Sequence, residues 1–175
     1  KIIGDNDAKN IWMGTFHSVF SKILRIESHY INYPKNYTIY DTEDSKSLIR
    51  SIIKELNLNK DFYKVNIIRS RISTMKNNFI SPDEYVNSPE IVLQDKIAKR
   101  TNFIDIYKSY INRCIKYSAM DFDDLLINTY KLLNSFPEIL LKYQRKFEYI
   151  LIDEYQDTNH IQYLIIKKLA DFHKN

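Results

Sequence analysis

The sequence has 175 residues, 44% of them hydrophobic and 27% charged, which is enough chain for one or two packed domains and excludes a disordered composition. No apolar run approaches the roughly 18 residues of a membrane span, residues 1–5 (KIIGD) lack the long apolar core of an export signal, and the lone Cys114 cannot form an internal disulfide. A cytoplasmic protein with no membrane partner is expected, and a net charge of +4 permits an anionic partner such as nucleic acid without requiring one.

Residues 11–16 (IWMGTF) are short, apolar and β-favouring, and Val19, Phe20, Ile23, Leu24, Glu27 and Tyr30 follow at mostly helical spacing. The pattern predicts a strand running into a helix. At the junction, Thr15, Phe16, His17 and Ser18 offer hydroxyls, an imidazole and free helix-start amides that suit a phosphate. Thr15 or Ser18 acting simply as a helix cap accounts for the same residues. After a loop over residues 32–36, residues 37–40 read as a short extended piece, with Asp41 and Thr42 as caps of a helix through Leu56. Residues 57–60 break that helix, a further helix is expected over 63–78, and Pro82 suits the first turn of a short one.

The longest helical pattern runs over residues 90–117, with Ile97, Phe103, Ile104, Tyr107, Tyr110, Ile111, Cys114 and Ile115 in one stripe. Cys114 reads as a small buried hydrophobe within it. In residues 121–126 (DFDDLL), Asp121 is a good N-cap, Asp123 and Asp124 favour the positive end of a helix dipole, and Phe122, Leu125, Leu126, Tyr130 and Leu133 form the buried stripe. Pro137 starts a helix to about Lys146. A last helix carries Ile161, Leu164, Ile165, Lys168, Leu169 and Phe172 along one side.

Between these last two helices lies FEYILIDEYQDTN, residues 147–159. The apolar run 149–152 predicts a strand buried on both faces, with Asp153 and Glu154 at its C-terminal end, where open α/β sheets bind ligands. One carboxylate there can hold a Mg²⁺ that bridges to phosphates, and a second can activate a water. An acidic turn in which Asp157 or Thr158 caps the next helix fits the local chemistry equally.

The heptapeptide of residues 153–159 (DEYQDTN) resembles the Walker B motif of the superfamily 1 DNA helicases typified by UvrD, PcrA and Rep. The segment TFHSVFSKILR (residues 15–25) resembles their TFHS motif, and DFDDLL resembles a third segment of theirs, all in the family's order. The resemblance implies an α/β, mostly helical fold: a partial RecA-like P-loop NTPase domain with few parallel strands (1A, residues 1–32 and 118–175), carrying an all-helical inserted subdomain (1B, residues 33–117). It implies an ATP hydrolase using ATP and Mg²⁺ that translocates 3′ to 5′ on single-stranded DNA and unwinds duplexes at single/double-strand junctions in repair or replication. By the same resemblance Asp153 helps hold Mg²⁺, Glu154 activates the hydrolytic water, Gln156 and Asp157 belong to the coupling surface of the nucleotide, and Thr15, Phe16, His17 and Ser18 touch DNA.

In the inserted subdomain, Lys64, Arg69, Arg71, Lys76, Lys96, Lys99 and Arg100 are either duplex contacts or a solvated face. Gly4 and Gly14 are the only glycines, so no G-x-x-x-x-G-K-S/T phosphate loop is present. The chain begins without Met and stops soon after the acidic motif, so a fragment is expected, inactive alone and partnered by the remaining helicase domains of its parent. The alternatives are a non-catalytic DNA-binding or protein-docking module and, within the superfamily, the helicase part of an AddA/RecB-like recombination nuclease.

Overall fold

The computed structural model describes residues 11–173; residues 1–5 and Gly4, considered above, lie outside them. The described chain is mostly helical and divides into two compact units, residues 1–35 with 128–175, and residues 36–127. Among the described residues no helix is long and apolar enough to cross a membrane.

The second unit opens with β1 (Thr38–Tyr40), which pairs in parallel with β2 (Ala119–Asp121) in the register Thr38↔Ala119, Ile39↔Met120 and Tyr40↔Asp121. A parallel pair needs a long crossover, and here it comprises α2 (Thr42–Glu55), α3 (Val65–Asn77), α4 (Pro82–Val86), α5 (Pro89–Ile97) and α6 (Phe103–Lys116). Of the two caps expected for α2, Asp41 forms and Thr42 is instead the first residue of the helix. Asp41 Oδ1 accepts from the Glu43 and Asp44 amides while Asp44 returns a bond to the Asp41 amide, and Ser81 and Glu84 do the same ahead of Pro82. The core is filled by Ile49, Ile52, Ile68, Ile72, Phe103 and Ile106, and Cys114 lies inside it as expected. Burial pushes the Cys114 thiol up to about 12, so it is an inert core residue.

The single helix expected over residues 90–117 is two helices. The chain leaves α5 at Ala98, Lys99 adopts φ 57, and the Lys99 and Arg100 amides donate back to Lys96 O and Asp95 O. Asp95, fully buried, accepts from Arg71 Nε and Nη2 at 3.1 and 3.0 Å and from the Tyr85 hydroxyl at 3.1 Å. The local rotation leaves Ile97 75% exposed, off the stripe assigned to it, and Ile115 is exposed as well.

The first unit contains α1 (Phe16–Ile26), a 3₁₀ turn (Ser28–Ile31), most of α7 (Phe122–Ser135), α8 (Pro137–Lys146), a 3₁₀ turn (Tyr155–Asp157) and α9 (His160–Ala170). Its buried side chains include Phe20, Ile23, Leu24, Leu132, Ile139 and Ile165. Glu27, read as one of the inward positions of α1, is indeed buried, and its carboxylate accepts from Lys142 Nζ at 2.7 Å and the Tyr143 hydroxyl at 2.9 Å. Helices α8 and α9 pack together, and Gln144 Nε2 donates to Lys168 O at 2.8 Å.

Both strands expected in this unit are absent. Residues 11–15 and 149–153 are irregular, and Tyr149 and Leu151 are 80% and 95% exposed rather than buried on both faces. An extended segment becomes a strand only when a neighbour takes up its N–H and C=O groups. The only ladder among the described residues is β1–β2, in the other unit.

Candidate functional site

The residues expected to act on nucleotide and DNA all belong to the first unit. At its N-terminal side, Thr15 is the N-cap of α1: its Oγ1 accepts the Ser18 amide at 3.3 Å, and Ser18 Oγ donates to Thr15 O at 2.8 Å. Both cap atoms lie at the surface, while Phe16 and His17 are half-buried, with Phe16 against Phe20 at 5.8 Å between ring centroids. Gly14 has φ 155, and a Cβ there would lie 2.4 Å from Ser18 Oγ. A side chain at position 14 would therefore displace the hydroxyl that closes this turn. The capping account of Thr15 is thus realised, and it leaves the outer side of the turn open.

Trp12, three residues earlier, packs edge-on against Phe147 at 5.3 Å and Tyr143 at 6.3 Å. Phe147 ends α8 and leads straight into the acidic segment. One aromatic cluster therefore anchors the approach to both motifs.

Past the irregular run 149–152, Asp153 Oδ1 accepts the Glu154 amide at 3.0 Å. Glu154 takes the left-handed conformation at φ 48 and ψ 44, and the 3₁₀ turn Tyr155–Asp157 follows, with the Asp157 amide donating to Glu154 O at 2.9 Å. Gln156 Nε2 donates to Glu154 Oε2, so Asp153, Glu154 and Gln156 form one hydrogen-bonded group with all three side chains exposed. Asp157 is exposed and joins through its backbone. Thr158 Oγ1 donates to Tyr155 O, and Asn159, not Asp157 or Thr158, caps α9 in a reciprocal pair with Gln162.

This donor set fits one kind of cation site. Among the described residues no three carboxylates or imidazoles converge as a metal cage. Asp153 keeps one carboxylate oxygen and the remaining lone pairs of the other open to solvent, which suits a Mg²⁺ that retains most of its water and shares its shell with phosphate oxygens. Alongside the acidic segment, Ile150, Ile152, Tyr155, Tyr163, Ile166 and Ala170 line an open, mostly apolar groove.

In the second unit, the acidic residues of the DFDDLL segment are taken up internally. Lys76 Nζ lies 2.7 Å from both Asp121 and Asp124, the Tyr110 hydroxyl donates to Asp121 Oδ2 at 2.8 Å, and Asn77 Nδ2 donates to Asp123 Oδ1 at 2.7 Å. Asp121 and Asp124 also exchange amide bonds as a cap, as expected. Lys76, expected on the basic face, is instead 3% exposed. Arg71 is drawn to Asp95, as is Arg100 at 3.4 Å, whereas Lys64, Lys96 and Lys99 are exposed. Helical periodicity places a lysine on a face but does not reveal that two aspartates 45 and more residues away meet it there.

The whole chain, residues 1–175, matches the family model described as UvrD/REP helicase N-terminal domain. It is 39% identical over 168 residues to the ATP-dependent DNA helicase PcrA of Bacillus subtilis, covering 96% of this chain and 22% of that protein. It is 37% identical over 175 residues to PcrA of Staphylococcus aureus, covering 100% and 23%, and 36% identical over 174 residues to PcrA of Leuconostoc citreum, covering 99% and 22%. The chain therefore spans less than a quarter of the length of these curated relatives.

Proposed function

The chain belongs to the UvrD/REP helicase N-terminal domain family, and from that premise we propose that it forms part of the first motor domain of a longer ATP-dependent DNA helicase. In this reading residues 1–32 and 118–175 belong to a RecA-like domain and residues 33–117 are its inserted helical subdomain. The helicase moves 3′ to 5′ along single-stranded DNA in the cytoplasm and opens duplexes at single/double-strand junctions. Its partners within the polypeptide are the remaining helicase domains, which supply the phosphate loop absent from this sequence and the second wall of the nucleotide site.

The observation that carries the reading is the Asp153–Glu154–Gln156 group, exposed at the end of an apolar run, in a chain that matches helicases over its full length. Asp153 would hold Mg²⁺, whose chemistry is to neutralise charge on the transferring phosphoryl group. Glu154 carries the general base, and the Gln156 amide fixes the direction of its carboxylate. Gln156 and Asp157 pass the state of the nucleotide to the rest of the domain. Thr15, Phe16, His17 and Ser18 contact the DNA backbone. Taken alone, the chain hydrolyses no ATP and unwinds no DNA, because phosphoryl transfer depends on positioning by all these parts at once.

The test is DNA-stimulated ATP hydrolysis by the intact polypeptide with Glu154→Gln. Turnover is expected to fall by about 10²–10⁴-fold, the usual contribution of a positioned base, with nucleotide binding retained. Turnover indifferent to Glu154 would mean that the motif survives only as scaffold.

A further inference from the structure

An open groove of about 550 Å³ runs along α1 in the first unit, lined by Ser18, Ser21, Lys22, Arg25, Ile26 and Lys35. Among the described residues its lining has cations and hydroxyls but no carboxylate. The acidic residue closest in sequence, Glu27, points elsewhere, into the buried pair with Lys142 and Tyr143. Aromatic and backbone contacts hold two of the cations along the helix. Lys22 Nζ sits 4.1 Å from the centroid of the Trp12 ring, and Arg25 Nη1 donates to Lys35 O at 2.8 Å, tying the return loop and its lysine to the helix. Among the described residues neither Lys22 nor Lys35 forms an ion pair, so neither charge is neutralised by a carboxylate there.

Along α1 the lining residues climb from Ser18 by about 6 Å to Lys22 and a further 4.5 Å to Arg25, at roughly 1.5 Å per residue. A cationic track of this kind, starting beside the exposed Thr15–Ser18 turn, suits a linear polyanion better than a single ion. We propose that the groove is a second backbone subsite for a nucleic-acid strand, in which Lys22 and Lys35 each neutralise one phosphate and Arg25 is the positioning residue that holds the Lys35 loop against the helix. The proposal rests on the DNA-binding reading above and extends the strand's path past the Thr15–Ser18 turn.

The experiment measures binding of labelled single-stranded oligothymidylate to the intact polypeptide by fluorescence anisotropy as salt is raised. Each phosphate contact on a single strand contributes about 0.7 to the slope of log K against log salt. Lys22→Gln with Lys35→Gln should make that slope shallower by about 1.4, and the Arg pair, Lys22→Arg with Lys35→Arg, should restore it. Lys131→Gln with Lys167→Gln removes the same charge from exposed positions of the unit outside the groove lining and should leave the slope near that of the unaltered protein. An unchanged slope in the groove variant, or an equal fall in the control pair, overturns the subsite while leaving the helicase reading standing. No binding by the unaltered protein at low salt overturns both.

Discussion

Lys76 holds two carboxylates with one buried ammonium, and the two respond oppositely. Burial raises Asp121, yet Lys76, the Tyr110 hydroxyl and the Asp124 amide all stabilise its charged form and hold it below the ordinary aspartate value. For Asp124, burial together with the neighbouring Asp121 charge outweighs the pull of Lys76 and pushes the carboxyl up to about 6. The folded chain therefore takes up a proton that the unfolded chain binds only near 3.8, the ordinary aspartate value. Its contribution is fully present below that value and is lost as pH rises through about 6, so this group makes the fold more stable as pH falls from about 7 to about 5. Asp124→Asn keeps an acceptor for the Asp121 amide and removes the titration. Urea midpoints of the two proteins should differ in pH dependence across that window, with the unaltered chain gaining on the variant as pH drops. Parallel profiles would contradict the assignment.

At the scale of elements, the capped helices were legible and the broken one was not. Asp41, Pro82, Asp121 and Pro137 each declare a helix start through chemistry confined to four residues, and each start forms where expected. The break between α5 and α6 has no such mark. Ala98, Lys99 and Arg100 include no glycine, asparagine or proline, and what closes α5 is the long-range demand of the buried Asp95 for Arg71, Arg100 and Tyr85. Lys99 meets that demand in a left-handed conformation at φ 57, which costs a non-glycine residue about 1–2 kcal/mol. Glycine escapes the cost but forfeits roughly 0.5–1 kcal/mol of chain entropy. Lys99→Gly is therefore expected to stabilise the chain by about 0.5 kcal/mol in chemical denaturation. A loss of that size would place the origin of the break in the exposed lysine side chain, which sits 5.5 Å from the Phe62 ring, rather than in the backbone.

At the scale of the molecule, the two units differ in how far they satisfy themselves. Residues 36–127 enclose a continuous core and pair Lys76 and Asp95 with partners of their own, whereas the other unit leaves Tyr149 and Leu151 of the run 149–152 in solvent. The candidate site was readable because its motifs are contiguous and carry their own hydrogen bonds. The strand leading into it was not, because an apolar β-favouring run states a preference that only a neighbouring strand can fulfil. A side chain such as Leu151, at 95% exposure, forgoes the roughly 1.5–3 kcal/mol that burial of a leucine provides. Under the motor-domain reading proposed above, the same run would gain that energy and its ladder bonds once other strands flank it. Amide hydrogen exchange distinguishes the two states directly. In the 175-residue chain the amides of Ile150, Leu151 and Ile152 should exchange as fast as open loop, while those of Ile165 and Leu169 in α9 are protected. Within the longer polypeptide the three should become as protected as a central strand, slowing by several orders of magnitude because exchange then requires opening of the sheet. Fast exchange at these positions in both would show that the apolar run is no strand in either setting, and the sheet-end placement of Asp153 and Glu154 would fall with it.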